Sequence, residues 1–319
     1  MDRVKSNFSI KNLENLSGIK AHTLRAWEQR HKLIIPKRTS TNIRFYGDDD
    51  LRTILNASVL LDAGYKIGRI AKLTSIELKD KALEESPYTG LYTYELNELK
   101  MSTLNFDLPR FEAVMAHCVD KFGIHKTFRD IIGDYIQELG KLWLAGNVSI
   151  SQEHFMSSLI RQKLFSAIDG LKSSPKPKSG SYALFLPANE LHELGLLYLT
   201  YVLKERGEHV FYLGQSLPKE YLEDLLNHQP VTHLISAFTT HPDVEQMEDY
   251  LLELDQMVDR NSVKVHLTGY QFQQFDIKPR WKNIQIHQSL KDLSASVWVF
   301  HNLFNKFLER LDRLFKHFV

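Results

Sequence analysis

The spacing of apolar residues changes twice along the chain, and each change marks a new kind of architecture. From Phe8 to about residue 75 the apolar positions fall in short runs at helical spacing. FSIKNLENLSGI places Leu13 and Leu16 on one face behind Ser9, a candidate N-cap, and Gly18 supplies a turn. From Lys20 to His31 a second helix is expected with Leu24 and Trp27 inward, leaving Lys20, His22, Thr23, Arg25, Gln29 and Arg30 on its other faces. Two helices joined by such a turn suggest a helix-turn-helix whose exposed face reaches a DNA major groove; the alternative is a small helical module that binds protein. Pro36 stops the helical pattern, and Ile43-Arg44-Phe45-Tyr46 alternates like a short strand, so a small β-wing is expected, with Arg38 and Arg44 flanking phosphates. Asp48, Asp49 and Asp50 then open a third helix, LRTILNASVLLDAG, which Gly64 ends before a short fourth around KIGRIAKL.

Between Ile76 and Leu171 the period is helical throughout. Helices are expected at about 95–105, 108–122, 125–145 and 150–171, broken at Asp107-Leu108-Pro109, Gly123 and Gly146-Asn147, which predicts a four-helix bundle. Tyr88, Tyr92 and Tyr94 sit in SPYTGLYTY, read as a packed connection. After Ser173-Ser174-Pro175-Lys176-Pro177-Lys178-Ser179-Gly180 the pattern turns to short apolar strands at 182–186, 209–213, 232–238, 264–268 and 283–287. Helices are expected between them at about 192–206, 218–228 and 243–259, with a shorter piece after Gly269 and a last helix at about 290–318. The expected fold is multidomain, α and α/β: a winged helix-turn-helix over 1–75, a helical bundle over 76–172, a linker at 173–180, and a flavodoxin-like doubly wound parallel sheet over 181–319.

Charge sharpens this division. Residues 1–75 hold fourteen Lys and Arg against seven acids, so this end carries +7 while the remainder carries −6. A basic end on an acidic body suits a nucleic-acid reader joined to a sensing or assembly part. The one cysteine, Cys118, lies among apolar neighbours at helical spacing, which excludes an internal disulfide and a cysteine-based zinc site. No apolar run approaches a membrane helix and the start lacks a signal-peptide pattern, so a cytoplasmic protein without membrane contact is expected.

The loops after the strands form one rim: Pro187 to Gly195, Gly214 to Pro218, Ser236 to Thr240, and Thr268-Gly269-Tyr270. Within the first, Glu190-Leu191-His192-Glu193-Leu194-Gly195 puts an imidazole at a ligand-binding corner. Taken alone, His192 is also a simple polar residue at a helix start.

Thr23-Leu24-Arg25-Ala26-Trp27-Glu28-x-Arg30, with Leu33, Pro36, Arg38-Thr39, Arg44-x-Tyr46 and Asp50-Leu51, resembles the winged helix-turn-helix of the MerR family. Arg-Ala-Trp-Glu is similar to the branch whose members carry cobalamin-binding tails. The resemblance implies dimeric binding to a pseudo-palindromic double-stranded operator through Lys20, His22, Thr23, Arg25, Arg30, Arg38, Arg44 and Tyr46. Thr39-Ser40-Thr41-Asn42 stands where the wing turn usually has glycine. Trp143, followed after nine residues by Glu153-His154, resembles the cap of CarH/LitR-type light-dependent carotenoid-gene repressors. That implies Trp143 over the upper face of adenosylcobalamin, Ile150 as an apolar contact, and Glu153 and His154 lining the cavity. In photoreceptor members a histidine follows the tryptophan; here it is Leu144, which offers no lone pair to a metal.

The rim also resembles the cobalamin module of methionine synthase and the mutases: Asp-x-His-x-x-Gly, Ser-x-Leu about forty residues on, Gly-Gly nearly thirty beyond. Forty residues separate Gly195 from Ser236, and thirty separate Phe238 from Gly269. The resemblance implies His192 as cobalt ligand, Glu190 fixing its tautomer, Gly195 beside the nucleotide tail, Ser236 near its base and Gly269 bordering the slot. Glu190 replaces Asp, Phe238 replaces Leu, and Tyr270 replaces the second glycine. The expected function is a transcription regulator, most simply a repressor, with no catalytic step, whose dimer or tetramer assembly and operator binding respond to cobalamin. The alternatives are a regulator of the same build acting through protein contacts alone, and a corrinoid enzyme subunit.

Overall fold

The computed structural model describes residues 7–39, 41–89, 92–171, 180–259, 262–275 and 281–287. Ser173 to Ser179 of the expected linker and the last helix expected at 290–318 lie outside the described residues. Contacts gather the chain into two compact units, residues 1–127 with 138–153, and residues 128–137 with 154–319.

In the first unit α1 (Ile10–Ser17) starts where Ser9 and Asn12 cap each other: Ser9 Oγ accepts the Asn12 N–H at 3.1 Å, and Asn12 Oδ1 accepts the Ser9 N–H at 2.9 Å. Gly18, left-handed at φ 73°, ends it. α2 (Ala21–His31) buries Leu24 and Trp27 and leaves the basic residues outward. The wing is a two-stranded antiparallel ribbon, β1 (Lys37–Arg38) with β2 (Arg44–Phe45), Arg38 opposite Arg44. Asn42 takes a left-handed backbone at φ 67°, the conformation that a glycine would otherwise supply. Arg38 Nη1 donates to the Asn42 carbonyl at 3.1 Å and to its side-chain oxygen at 2.8 Å.

α3 (Asp48–Asp62) is the centre of this unit. Asp50 accepts the Gly47 N–H at 2.9 Å at its start. Leu51 and every residue from Ile54 to Leu60 are buried, because α3 is covered by neighbours on several sides. Ala57 and Leu60 pack with Ile70, from α4 (Ile67–Ile70), and with Leu78; Val59 packs with Ala82 and Tyr94. Leu78 and Ala82 belong to α5 (Ser75–Thr89), which lies in the stretch of helical period but was given no bounds from the sequence, and Tyr94 belongs to α6 (Thr93–Asn105). Each such buried leucine or isoleucine contributes about 1.5–3 kcal/mol. α7 (Leu108–Lys126) follows, interrupted at Gly123 by φ 77° and ψ 160°. A π-helical stretch, Thr127–Ile132, leads into α8 (Gly133–Leu144), and α9 (Ile150–Asp169) comes after the Gly146-Asn147 turn.

The second unit is built on five parallel strands: β3 (Ser181–Pro187), β4 (His209–Leu217), β5 (His233–Ala237), β6 (Lys264–Thr268) and β7 (Ile284–Ile286), in the order β4-β3-β5-β6-β7. This is the flavodoxin-like order, as expected. Every residue of β3 is buried. The helices are α10 (Leu194–Glu205), α11 (Leu222–His228), α12 (Met247–Asp259) and α13 (Gln271–Gln274). Because β4 lies on one side of β3 and β5 on the other, the chain reverses its direction of travel at β3, and the loops after β3 and β5 flank the crevice. Such a switch point is where open α/β sheets receive ligands. β4 continues past its expected end through Leu217, with register shifts opposite Leu184 to Pro187 and Gly214 at φ 79°.

Candidate functional site

His192 lies in the loop between β3 and α10, two residues ahead of the helix that was expected to begin with it. Its position is set by Glu190, whose side chain is fully buried while about a third of the His192 side chain is exposed. Glu190 Oε1 stands 2.5 Å from His192 Nδ1 and accepts the backbone N–H groups of Leu191 and His192 at 3.0 and 3.1 Å. Oε2 accepts the N–H groups of Thr239, Thr240 and His241 at 2.8, 2.6 and 3.1 Å, and the Thr240 hydroxyl at 3.2 Å. One carboxylate thus ties together the two loops that flank the crevice. Burial alone would raise its pKa, but the hydrogen bonds from the His192 ring and the Thr240 backbone outweigh that and hold it at about 2. An ionised carboxylate only accepts, so Nδ1 of His192 carries the hydrogen that faces it. In the neutral ring the lone pair is then on Nε2.

The end of β4 braces the same loop. Ser216 Oγ accepts the Asn189 N–H at 3.0 Å, the Ser216 N–H donates to the Glu190 carbonyl at 3.2 Å, and Gln215 Nε2 donates to the Leu191 carbonyl at 2.7 Å. Just beyond His192, buried Glu193 receives the Tyr212 hydroxyl and pairs with Arg161 Nε at 2.5 Å.

The other expected rim residues are placed differently. Gly195 is buried at the second position of α10. Ser236 has no exposed surface, and its hydroxyl donates to the Phe185 carbonyl at 2.7 Å. Gly269, at φ 127°, has the Phe238 carbonyl oxygen 2.2 Å from where a Cβ would stand. Replacing it with alanine is therefore expected to destabilise this unit by about 3 kcal/mol or more, from overpacking and backbone strain together. Denaturant melts of the two proteins read that difference, and an unshifted midpoint would contradict it. Tyr270 is half-buried and precedes α13.

Of the expected cap, Trp143 is half-buried near the end of α8, Ile150 opens α9 with 60% exposure, Glu153 is half-buried and His154 exposed. Trp143, Ile150 and Glu153 fall in the first unit and His154 in the second. The Leu144 side chain lies outside what the structure describes.

On the DNA side, His22, Arg25, Arg30, Arg38 and Arg44 are exposed and Thr23 is half-buried. Lys20 pairs with Glu14 at 3.4 Å and Arg44 with Glu28 at 3.7 Å. Tyr46 corrects the sequence expectation: it has no exposed surface, so it cannot touch DNA from this position. Its hydroxyl donates to Glu28 Oε2 at 3.0 Å, and burial first, then Glu28, push its pKa up to about 12. Glu28 therefore connects the core tyrosine to the wing arginine, and the role of Tyr46 is to hold the wing.

Residues 8–75 match the model of the MerR HTH family regulatory protein, and residues 95–166 match that of a B12 binding domain. The HTH-type transcriptional repressor CarH of Myxococcus xanthus is 27% identical over 261 residues, covering 79% of this chain and 86% of that protein. The repressor CarA of the same organism is 26% identical over 219 residues, covering 67% and 70%. The chain carries a MerR-type helix-turn-helix and a B12-binding domain, and it is a DNA-binding transcription regulator. Both relatives are named as HTH-type transcriptional repressors. Among solved structures, the Methanosarcina barkeri monomethylamine corrinoid protein aligns with a TM-score of 0.48 at 13% identity, over 64% of this chain and 97% of that one.

Sequence reasoning missed several polar groups of the second unit. The three backbone donors at Thr239 to His241 left no side-chain signature. A row of three imidazoles also went unnoticed: His233 Nδ1 and His266 Nε2 are 3.1 Å apart, and His266 Nδ1 and His287 Nε2 are 3.2 Å apart, with Tyr182 stacked on His233. Burial, then the neighbouring histidines, hold His266 at about 3, so it stays neutral. Among the described residues no group of three or more His, Cys, Asp or Glu side chains is arranged to hold a metal ion by itself, and no helix is long and apolar enough to cross a membrane.

Proposed function

We propose that operator binding by this regulator responds to adenosylcobalamin, with His192 as the lower cobalt ligand. The observation that carries this is the buried Glu190 carboxylate, which fixes the His192 ring with its Nδ1 hydrogen inward and so assigns any metal to Nε2. Trp143, Ile150, Glu153 and His154 would cover and line the upper face, and Gly195, Ser236 and Gly269 would border the nucleotide tail. When bound, the cofactor supplies a cobalt–carbon bond that light can break. Leu144 would offer cobalt no lone pair, so it would not serve as a second ligand. Exposed Lys20, His22, Arg25, Arg30, Arg38 and Arg44, with Thr23, would meet an operator as a dimer or tetramer reads it.

The packing of Ser236 against the Phe185 carbonyl and of Gly269 against Phe238 favours a second reading, a regulator of the same build that works through protein contacts alone. One experiment separates the two. Incubation with adenosylcobalamin in darkness and removal of unbound cofactor should leave a corrinoid absorbance that migrates with the protein and changes under green light. Protein that emerges colourless would support the second reading.

A further inference from the structure

Two polar ties join the segment carrying Trp143 to the first helix of the DNA-reading pair. Lys100, on α6, has a side chain only 7% exposed, and its ammonium is 2.7 Å from Glu138 Oε1, on α8. The same ammonium donates to the Leu16 carbonyl at 3.2 Å. Leu16 is in the last turn of α1, where carbonyls carry the negative end of the helix dipole. An ammonium is buried only where its charge is met, and these two acceptors, one from each element, meet it. The second tie is at the other end of α1. Asn12, already part of the α1 cap, donates through Nδ2 to Asn147 Oδ1 at 2.7 Å.

Asn147 is itself fixed to the end of α8. Its backbone N–H donates to the Leu142 carbonyl at 2.9 Å, and that of Gly146 donates to the Trp143 carbonyl at 2.9 Å. A shift of Trp143 therefore carries Asn147 with it, and through Glu138 on the same helix it carries Lys100. Both ties grip α1, while the outward residues of α2, His22, Arg25, Gln29 and Arg30, remain exposed. The connection is thus compatible with DNA binding.

We propose that residues 138–147 are the transmission element of this regulator, gripping α1 at both ends through Lys100 and Asn147 so that occupancy at Trp143 sets the orientation of the reading helices. Neither tie touches the cofactor, so both residues are positioning residues. The proposal rests on Trp143 facing adenosylcobalamin.

The test uses the full chain and a duplex selected from random sequence by the wild-type protein. Adenosylcobalamin should change wild-type affinity for that duplex at least tenfold. The Lys100→Met/Asn147→Ala protein should take up the cofactor with wild-type absorbance, yet its DNA affinity should change less than twofold. A double variant that keeps the wild-type ratio overturns the proposal. If Lys100→Met does not fold, the single changes at Asn147 decide: Asn147→Ala should reduce the ratio and Asn147→Asp, which keeps the accepting oxygen, should restore it. Equal ratios in these two proteins overturn the proposal. If the wild type takes up no corrinoid, the functional reading is what has failed. The ties are then read by hydrogen exchange, where amides of Leu13 to Ser17 should exchange at least tenfold faster in the double variant, and equal rates overturn the proposal.

Discussion

His192→Ala should weaken adenosylcobalamin binding by more than about 100-fold and change the absorbance of whatever cofactor remains. The scale follows from metal sites in general: the outer partners of a ligating histidine alone are worth ~10–100-fold in affinity, and the ligand itself is worth more. The spectral change would follow from the loss of a nitrogen donor to cobalt. Stability should fall as well, because the His192 ring is the first of the hydrogen-bond partners that keep the buried Glu190 carboxyl ionised, while the backbone bonds of the loop remain. Equilibrium titration of wild type and variant, with absorbance and melting recorded together, reads all three. If the variant binds as tightly with an unaltered spectrum, His192 is not the ligand, whatever Glu190 does to its ring.

What could be read from the sequence was governed by local signals. Ser9 punctuates a helix through its hydroxyl and Gly18 and Gly64 through a left-handed backbone, and the helices they bound lie close to where the periodicity put them. α5 was given no bounds of its own because Ser86-Pro87 read as the start of a loop, although its Leu78 and Ala82 pack firmly on α3. Tyr46 was misplaced because the motif that marks it gives its place beside the wing but not which way its side chain faces; its hydroxyl goes to Glu28, eighteen residues earlier. The wing turn without glycine became intelligible only through the left-handed Asn42. Strand order is likewise not local: the alternation predicts a parallel sheet, while the position of β3 between β4 and β5 is what creates the crevice.

The same limit applied to Glu190, which spacing and resemblance marked only as a partner for His192. In the structure its larger role is across the crevice, with three consecutive backbone N–H groups fifty residues on. No side-chain pattern could have announced them, since any residue donates from its backbone.

Glu190→Ala is therefore expected to destabilise the α/β unit by about 3–5 kcal/mol, the range for removing one partner from a buried charged network. It strands the N–H groups of Thr239, Thr240 and His241, and each unsatisfied buried donor costs ~1–3 kcal/mol. Acid should reproduce part of this loss in the wild type. The folded carboxyl sits at about 2 against an ordinary value of 4.5, so the folded state binds fewer protons than the unfolded chain between those values. Its contribution is complete above pH 4.5 and disappears as pH falls through 2. A difference of 2.5 units corresponds to about 3 kcal/mol at ~1.4 kcal/mol per unit. Glu190→Gln keeps the size of the side chain but has no proton to gain, so its stability should lack this acid-sensitive part. Urea melts at pH 7 and pH 3 should then show the wild-type advantage over Glu190→Gln shrinking by roughly half of that 3 kcal/mol or more, because most of the drop from 4.5 lies above pH 3. Parallel pH dependence in the two proteins would show that the carboxylate is not held as an anion by the two loops, and with it would go the argument that fixes the His192 ring.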